Sequence, residues 1–320
     1  MSPPKRHHTI PRVYLKNFVD ADERLTLFSK RLERTIRPLP QKALTRWFYY
    51  SQPQSGQDNV EHGFETTLLH EFEEQYPSLY EELIQGTCSN IELLFQTLAI
   101  SRVRSPAFRE VFELALADYV DRFVRAIPKK QIPDPPQSIP DLWDKIFPAI
   151  DPHRSLHAMP HYMKHYMAGV TSCSFAVAIA PKGMEFLTSD NPVIWFENKY
   201  QLGSETIFPF TPTKNTRVFF PLNKRMTLVG RLRRYGEGEF REGFMEAPRP
   251  MVRSINEMQL ACSWDATIGT ESIPVVRKRH YSKLAPAMKV VSFDPDSNEY
   301  QLAPFTLAPM RDKLKFKRRS

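Results

Sequence analysis

Two polar clusters, far apart along the chain, carry the side chains best suited to chemistry. The first cluster, TSDNP at residues 188–192, sets the Asp190 carboxylate and the Asn191 amide between two apolar runs. Pro192 fixes its own φ and disfavours a helical Asn191, so both side chains stand on a stiff connection. We interpret Asp190 and Asn191 as catalytic candidates and Ser189 as a substrate-binding candidate. The alternative is an Asx turn, in which Asp190 only hydrogen-bonds nearby backbone.

The second cluster is the N-terminal run HHTIPRVYLKNF, residues 7–18. A proline followed by closely spaced apolar residues predicts a short helix with its basic side chains on the polar side. The start of such a helix suits an anion. We assign His8 as a third catalytic candidate and Arg12, Tyr14 and Lys16 as substrate-binding residues. Because each cluster is too polar to be buried unpaired, we predict that the two lie together.

A further polar candidate outside the two clusters is Asn256, which stands among apolar side chains in a helix predicted over residues 250–267. A buried amide needs hydrogen-bond partners, and the Asp190 loop is where we expect them. Asn256 therefore joins the substrate-binding set.

Four histidines spaced by four residues raise the question of a metal: His153, His157, His161 and His165. The His–x₃–His spacing on a helix is typical of zinc ligands. However, Pro160 would break the helix, and no Cys, Asp or Glu stands at ligand spacing beside the row. We assign no metal ligand and no cofactor, and the row stays open between a metal site and a solvated or DNA-facing helix.

The elements that must position these residues fall into two halves. Helical spacing predicts helices over residues 60–84, with Pro77 kinking or dividing the first, then over 91–101 and 106–127. After residue 173 short β-prone runs dominate, including 184–187 and 193–196, while GEGEFREG at 236–243 predicts a mobile loop. We expect an α+β fold, with a helical N-terminal half packed on a mixed or antiparallel sheet in the C-terminal half.

The organisation predicted from these patterns has five parts. They are an N-terminal arm with short strands docking on the C-terminal half (1–50), a helical subdomain (51–127), a proline-rich linker (128–140), an α+β subdomain carrying the TSDNP loop (141–310) and a basic tail (311–320).

Composition favours a globular protein of the cytoplasm. Of the 320 residues, 41% are hydrophobic and 25% are charged, which is ordinary for soluble domains. No apolar run reaches the roughly 18 residues that span a bilayer, and the N-terminus lacks the apolar core of a secretory signal. Three scattered cysteines fit a reducing compartment. We expect no membrane association and infer no obligate protein partner.

The net charge of +8 lies in the second half, where residues 161–320 hold 24 Lys and Arg against 15 Asp and Glu. Basic side chains cluster at a predicted hairpin tip and in a following RLRRY run. A surplus of this size suits a polyanion, and Arg beside aromatic residues can contact phosphates and bases. We predict a nucleic-acid partner, DNA rather than RNA, bound by Lys224, Arg225, Arg231, Arg233 and Arg234.

The two clusters together resemble a known family. His8, Pro11, Arg12, Tyr14, Leu15 and Phe18, followed in the second half by Ser-Asp-Asn-Pro at 189–192, are similar to the pattern of the domain of unknown function 4238. The resemblance covers most of the chain. It implies that the two clusters converge and links the chain loosely to bacterial defence against phage, but it implies no reaction.

The motifs of several common enzymes are missing, namely GxxxxGK(S/T), GxGxxG after a strand, GxSxG, HExxH and CxxC. One carboxylate beside an amide suits cleavage of an N-glycosidic bond, because Asp can stabilise an oxocarbenium-like state while positioning water. On DNA such an enzyme flips the base into a pocket. The leading hypothesis is therefore a hydrolase, a DNA glycosylase excising a normal or modified base, for which Asp190→Asn should abolish activity and leave the fold intact.

Two alternatives remain beside the glycosylase. One is a metal-dependent nuclease that uses the same basic cleft and recruits a metal through His8, Asp190 and the histidine row. The other is a non-catalytic nucleic-acid-binding protein in which the two clusters only lock the N-terminal arm to the sheet.

Overall fold

Helices dominate the first half of the chain and strands the second, which confirms the predicted α+β class. The computed structural model describes residues 6–47, 49–50, 52–53, 60–61, 70–126, 134, 137–138, 153–197, 212–269, 281–288, 290–294, 299–302 and 306–309. The predicted linker, apart from three residues, and the predicted basic tail lie outside these ranges.

The helices of the described chain are α1 (Arg12–Leu15), α2 (His70–Ile84), α3 (Ile91–Val103), α4 (Pro106–Ala126), α5 (His153–Val170) and α6 (Arg249–Cys262), with a 3₁₀ turn at Lys16–Phe18. Local signals explain several boundaries. The Asn90 side chain caps α3 by accepting a hydrogen bond from the Leu93 N–H at 3.0 Å. Pro248 and Pro250 flank the first residue of α6, where a missing N–H costs nothing.

The strands are β1 (Arg6–His8), β2 (Leu27–Ser29), β3 (Arg34–Ile36), β4 (Thr45–Trp47), β5 (Gln52–Pro53), β6 (Val60–Glu61), β7 (Cys173–Ile179), β8 (Thr188–Ser189), β9 (Ile194–Glu197), β10 (Thr216–Pro221), β11 (Met226–Leu232), β12 (Phe240–Glu246), β13 (Ala266–Ile268), β14 (Leu284–Ala287), β15 (Val290–Asp294), β16 (Glu299–Leu302) and β17 (Thr306–Pro309).

A five-stranded sheet in the order β12-β7-β11-β10-β9 carries the main core. Its pairs are antiparallel except β12 with β7, which is parallel. Helices α3 and α5 pack together and against this sheet. The Phe95 ring of α3 lies 6.1 Å from the Phe175 ring of β7, and the Tyr166 ring of α5 lies 6.1 Å from the Trp195 ring of β9. The apolar α3 is central because it is buried on nearly every side.

A smaller antiparallel sheet, β3-β2-β13-β8, positions the polar clusters. Strand β13 lies at its centre and pairs Ala266 with Ser29 of β2 and Thr267 with Ser189 of β8. Strands β1 and β4 form a separate pair, with Thr45 opposite His8. Strand β13 therefore joins β2 to β8, the strand that opens the TSDNP loop.

Two predictions made around the TSDNP loop are wrong. Residues 184–187 are not a strand, whereas Thr188 and Ser189, predicted to be turn residues, form β8. The Asn256 side chain occupies the backbone groups that a ladder would use, because it bonds the Glu185 carbonyl and the Leu187 N–H. The predicted helix over 250–267 ends at Cys262, because the next residues turn and enter β13.

Other local predictions also need correction. Residues 240–246 form strand β12 on the edge of the large sheet rather than a mobile loop. Helix α5 continues through Pro160, and α2 is not divided at Pro77. Pro160 cannot donate the backbone hydrogen bond of its turn of α5. The packing of the helix outweighs this loss, because Leu156 and Met159, which precede the proline, are buried. No helix in the described ranges is long and apolar enough to cross a membrane.

The packing of α5 on β9 gives a test of the fold. A Cβ added at Gly169 would lie 2.2 Å from the Cη2 atom of the Trp195 ring. Gly169→Ala should therefore lower the free energy of unfolding by about 1–3 kcal/mol through overpacking, measured by urea denaturation. The control is Gly238→Ala, where the nearest atom to an added Cβ is 3.6 Å away. Equal stability of both variants would contradict the packing described for Trp195.

Candidate functional site

The Asp190 carboxylate lies at the end of β8, is 2% exposed and accepts three backbone hydrogen bonds. Its Oδ1 receives the Trp264 N–H at 2.7 Å, and its Oδ2 receives the N–H groups of Asp265 at 2.8 Å and Ala266 at 3.0 Å. The donors belong to the turn between α6 and β13. Asp190 therefore does not form the local Asx turn of the sequence alternative; it holds a turn that is distant in sequence.

The neighbouring side chains of the loop are also used internally. Asn191 Nδ2 donates to the Cys262 carbonyl at 2.9 Å, and Asn191 Oδ1 accepts from Arg102 Nη1 at 2.5 Å. Ser189 Oγ lies 2.7 Å from Gln259 Oε1, and the Gln259 amide donates to the Pro192 carbonyl at 2.9 Å. The loop is thus fastened to α6 by hydrogen bonds that satisfy its buried polar atoms.

Lys30, the residue after β2, approaches the same turn from another side. Its ammonium is buried and donates to the carbonyls of Ala261 at 3.0 Å, Ser263 at 2.7 Å and Leu284 at 2.9 Å. A cation is favourable here because the last carbonyls of α6 have no helical partner. Burial lowers the pKa of Lys30 to about 8, although the charges of Asp190, Cys262 and Asp265 oppose that shift. Two buried opposite charges therefore hold one turn.

A cavity of about 240 Å³ opens beside Asp190. Asp265 also lines this cavity, and its Oδ1 accepts hydrogen bonds from Ser29 Oγ at 2.9 Å and from the Arg31 N–H at 3.0 Å. Burial, and then the charge of Asp265, raises the pKa of Asp190 to about 6, while the three amide bonds oppose the shift. The remaining wall residues are Thr9, Leu27, Ser29, Leu32, Ile36, Pro38, Lys42, Ala43, Leu44, Thr45, Arg46, Pro106 and Ala266.

Buried arginines connect the helical half to both clusters. Arg102, near the end of α3, bonds Asn191, and its guanidinium lies 5.8 Å from the Tyr166 ring centre. Arg104 donates to the His8 carbonyl at 2.8 Å and to Glu73 at 3.3 Å. One helix end therefore reaches the TSDNP loop and the N-terminal motif at once.

Tyr14 makes the most direct link between the two clusters. Its buried hydroxyl lies 2.6 Å from Thr188 Oγ1 and donates to the Pro221 carbonyl at 2.8 Å. Its ring stacks on Phe220 with 5.1 Å between centroids. Burial raises the pKa of Tyr14 well above its usual value. Tyr14 is thus a neutral anchor rather than a substrate contact.

The other N-terminal candidates stand apart from Asp190. Arg12 and Lys16 are exposed on α1. His8 is half-buried, and burial is the main cause that lowers its pKa; the charged groups acting on its ring are Glu73, Arg104 and Arg12. Its neighbour Thr9, rather than His8, lines the cavity. The Asn256 side chain forms hydrogen bonds with the backbone of Glu185 and Leu187, in the segment that leads into the TSDNP loop.

The predicted phosphate-binding residues have partners within the chain. Arg231 pairs with both carboxylate oxygens of Glu237, at 2.8 and 2.6 Å, and Arg233 lies 2.9 Å from Glu239. Arg225 donates to the carbonyls of Ala180, Pro181 and Met184. Lys224 is half-buried and Arg234 is exposed. Carboxylates therefore compensate the charges of two of these five residues, Arg231 and Arg233.

The histidine row lies on one continuous helix, α5. His161 and His165 are exposed, and the side chains of His153 and His157 lie outside the described part. Within the described ranges there is no group of three or more His, Cys, Asp or Glu side chains that could hold a metal ion.

Sequence reasoning missed several residues that shape the site: Lys30, Arg102, Arg104, Gln259 and Asp265. Arg102 and Arg104 close an almost wholly apolar helix, and arginines at such a position must find acceptors in the core. That signal was available. Lys30 and Asp265 had none, because they look like ordinary surface charges in a strand and a helix.

The fold and site define an α+β protein in which a buried Ser-Asp-Asn-Pro loop is joined to the N-terminal motif by the Tyr14 hydroxyl and by two buried arginines at the end of α3. The model of the family described as a protein of unknown function (DUF4238) matches residues 6–270, and the chain belongs to this family. The matched region runs from β1 to just past β13 and contains every residue of the cavity. No curated protein and no solved structure matches the chain significantly.

The geometry of Asp190 changes the expectation for Asp190→Asn. An amide offers one oxygen, and its NH₂ group would face an N–H donor that the carboxylate now accepts. The substitution should lower the free energy of unfolding by roughly 2–4 kcal/mol, measured by urea denaturation at neutral pH.

Asp265→Asn is the matched control for that measurement. Its two hydrogen bonds converge on Oδ1, which an amide retains, so stability should stay within about 0.5 kcal/mol of the parent protein. An Asp190→Asn protein as stable as this control would contradict the structural role of the three amide bonds.

Proposed function

We propose that the chain is a hydrolase that cleaves an N-glycosidic bond in nucleic acid, most specifically a DNA glycosylase, at the cavity lined by Asp190 and Asp265. The observation that carries the proposal is the pairing of these two carboxylates at one cavity, with their environments differing. Asp190 is buried and held by three amides, whereas Asp265 is half-buried and holds its hydrogen bonds on one oxygen. Carboxylates in unlike environments can divide acid, base and electrostatic roles.

The size and lining of the cavity support a single ring as its occupant. A volume of about 240 Å³ falls below the roughly 300–1,000 Å³ of pockets for drug-sized ligands. Leu27, Ile36 and Leu44 offer apolar contacts. Lys42 and Arg46 bring positive charge, although Arg46 is paired with Glu110. A flipped base or its sugar fits these dimensions, and the cations suit the phosphates beside it.

The proposed chemistry divides the work between the carboxylates. The bond between C1′ and the base nitrogen breaks, the electron pair leaves with the base, and the fixed charge of Asp190 stabilises the oxocarbenium-like sugar. Asp265 takes a proton from water as the water oxygen bonds C1′. Its Oδ2 suits this role, since it receives no hydrogen bond from the described residues. The base leaves with a proton from solvent.

The proposal extends to partner and setting. DNA is the favoured substrate, acted on through base flipping, and phage defence is the setting suggested by the family resemblance. The free thiols Cys88, Cys173 and Cys262 support a cytoplasmic location.

The second candidate is a nucleic-acid-binding protein without catalysis. The observation favouring it is that the side chains of Ser189, Asp190 and Asn191 form hydrogen bonds with α6 and the turn that follows it. In this case the TSDNP loop serves architecture alone.

Asp265→Asn separates the glycosylase from the non-catalytic binder, because it removes the charge of Asp265 while keeping both hydrogen bonds to its Oδ1. We expect DNA incubated with the parent protein and EDTA to acquire alkali-labile sites, and the variant to lose at least about 100-fold in rate, as for loss of a general base. Glu242→Gln, an exposed carboxylate on β12, serves as the charge-matched control. Unchanged cleavage by Asp265→Asn would refute its role, and intact DNA with the parent protein would favour the binder.

The raised pKa of Asp190 predicts a pH dependence. The reaction needs the ionised carboxylate, which exists above a pKa of about 6. Single-turnover cleavage should therefore fall roughly tenfold for each pH unit below that value. A rate that stays constant from neutral pH down to the ordinary range of an exposed Asp would show that the charge of Asp190 does not take part.

A further inference from the structure

The mouth of the cavity is built by a basic stretch of the chain. The first 46 residues hold 11 Lys and Arg against 4 Asp and Glu. This stretch supplies β2, β3 and the start of β4, and 11 of the 15 residues of the cavity wall belong to it. Of its acids, Asp20 and Asp22 are engaged by Arg37, and Glu33 accepts a hydrogen bond from Ser282 Oγ at 3.3 Å. Arg46 is paired with Glu110, whereas no carboxylate of the described residues forms an ion pair with Arg31, Arg34 or Lys42.

Strand register places Arg34 on the cavity side of the small sheet. Leu27 and Ser29 of β2 line the cavity, as does Ile36 of β3. Ile36 lies opposite Leu27 and Arg34 opposite Ser29, so Arg34 projects from the same face. Arg31 lies in the turn of the same hairpin. Its backbone N–H bonds the cavity residue Asp265 at 3.0 Å, and its guanidinium lies 5.9 Å from the centre of the Trp264 ring.

The other side of the mouth presents an aromatic ring. Thr45 and Arg46 of β4 line the cavity, and the next residue, Trp47, has 60% of its surface exposed. Arg6 lies opposite Trp47 in the β1–β4 pair, with its guanidinium 4.8 Å from the centre of a Trp47 ring. Exposed Leu32 and Lys42 line the cavity between the two sides.

We propose that these six residues, Arg6, Arg31, Leu32, Arg34, Lys42 and Trp47, form a basic rim that binds single-stranded nucleic acid and feeds it into the cavity. Cations along a groove track phosphates, and an exposed indole stacks a base without regard to sequence. The rim replaces the surface around Arg231, Arg233 and Arg234 as the contact with phosphates, because Glu237 and Glu239 already engage two of those arginines. This inference deepens the proposed function and rests on it for the destination of the strand.

The test is fluorescence anisotropy with a labelled single-stranded oligonucleotide of about 16 nucleotides, titrated between about 50 and 200 mM salt. Replacing Arg31, Arg34 and Lys42 together by Gln should reduce the slope of log K against log salt by about 2, at roughly 0.7 for each phosphate contact. The matched control replaces Arg231, Arg233 and Arg234 by Gln, removes the same charge, and should leave the slope unchanged.

Trp47→Ala tests the stacking separately. It should weaken binding about 5- to 150-fold, the worth of one stacked base, and Trp47→Phe should restore most of the loss. Thermal melting of each variant checks folding, which these exposed side chains should leave intact.

Three outcomes would overturn the rim. They are no binding by the parent protein, a slope reduced only by the control triple, or duplex bound as tightly as single strand with no effect of Trp47→Ala. The anisotropy assay measures binding independently of cleavage, and it is repeated with the Asp265→Asn variant. Binding that depends on the rim, without any base release, would therefore support the rim and contradict the glycosylase. Cleavage together with unchanged binding by the rim variants would support the glycosylase and contradict the rim.

Discussion

The turn between α6 and β13 is the constraint on which the rest of the structure depends. Its N–H groups bond the Asp190 carboxylate, and its carbonyls bond the Lys30 ammonium. The two charges come from segments far apart in the sequence and approach the turn from different sides. Removing either one would leave the other charge buried with its backbone hydrogen bonds but without the opposite charge, which is more costly than losing a surface pair. This arrangement fixes β13 between β2 and β8 and thereby creates one wall of the cavity.

Buried arginines extend this constraint into the helical half. Arg102 and Arg104 stand two residues apart at the end of α3, and they bond the Asn191 side chain and the His8 carbonyl. Burial lowers the pKa of Arg102, which shows that its charge is held at a cost. Such groups specify a single arrangement, because other packings would leave them without acceptors. The paired clusters of the family pattern are therefore explained first by architecture.

The sequence predicted the fold class and most helices because these follow from local periodicity. Helix α3 is the clearest example, with apolar residues on almost all sides. The types of residue in the TSDNP loop correctly marked it as polar and stiff, but whether each side chain faces a cavity or a backbone depends on long-range pairing. Asp265 enters the site only because β13 pairs with β2 beyond it. Lys30 is buried only because α6 ends above it. No local pattern records either event.

A double-mutant cycle on Lys30 and Asp190 tests the central claim most directly. The free energy of unfolding would be measured for the parent protein, Lys30→Met, Asp190→Asn and the double variant, by urea denaturation at pH 7. Because both charges hold one turn, the two losses of stability should not be additive. The double variant should lose about 1–3 kcal/mol less than the sum of the losses of the two single variants. Additivity within roughly 0.5 kcal/mol would mean that the two charges act independently and would contradict the account.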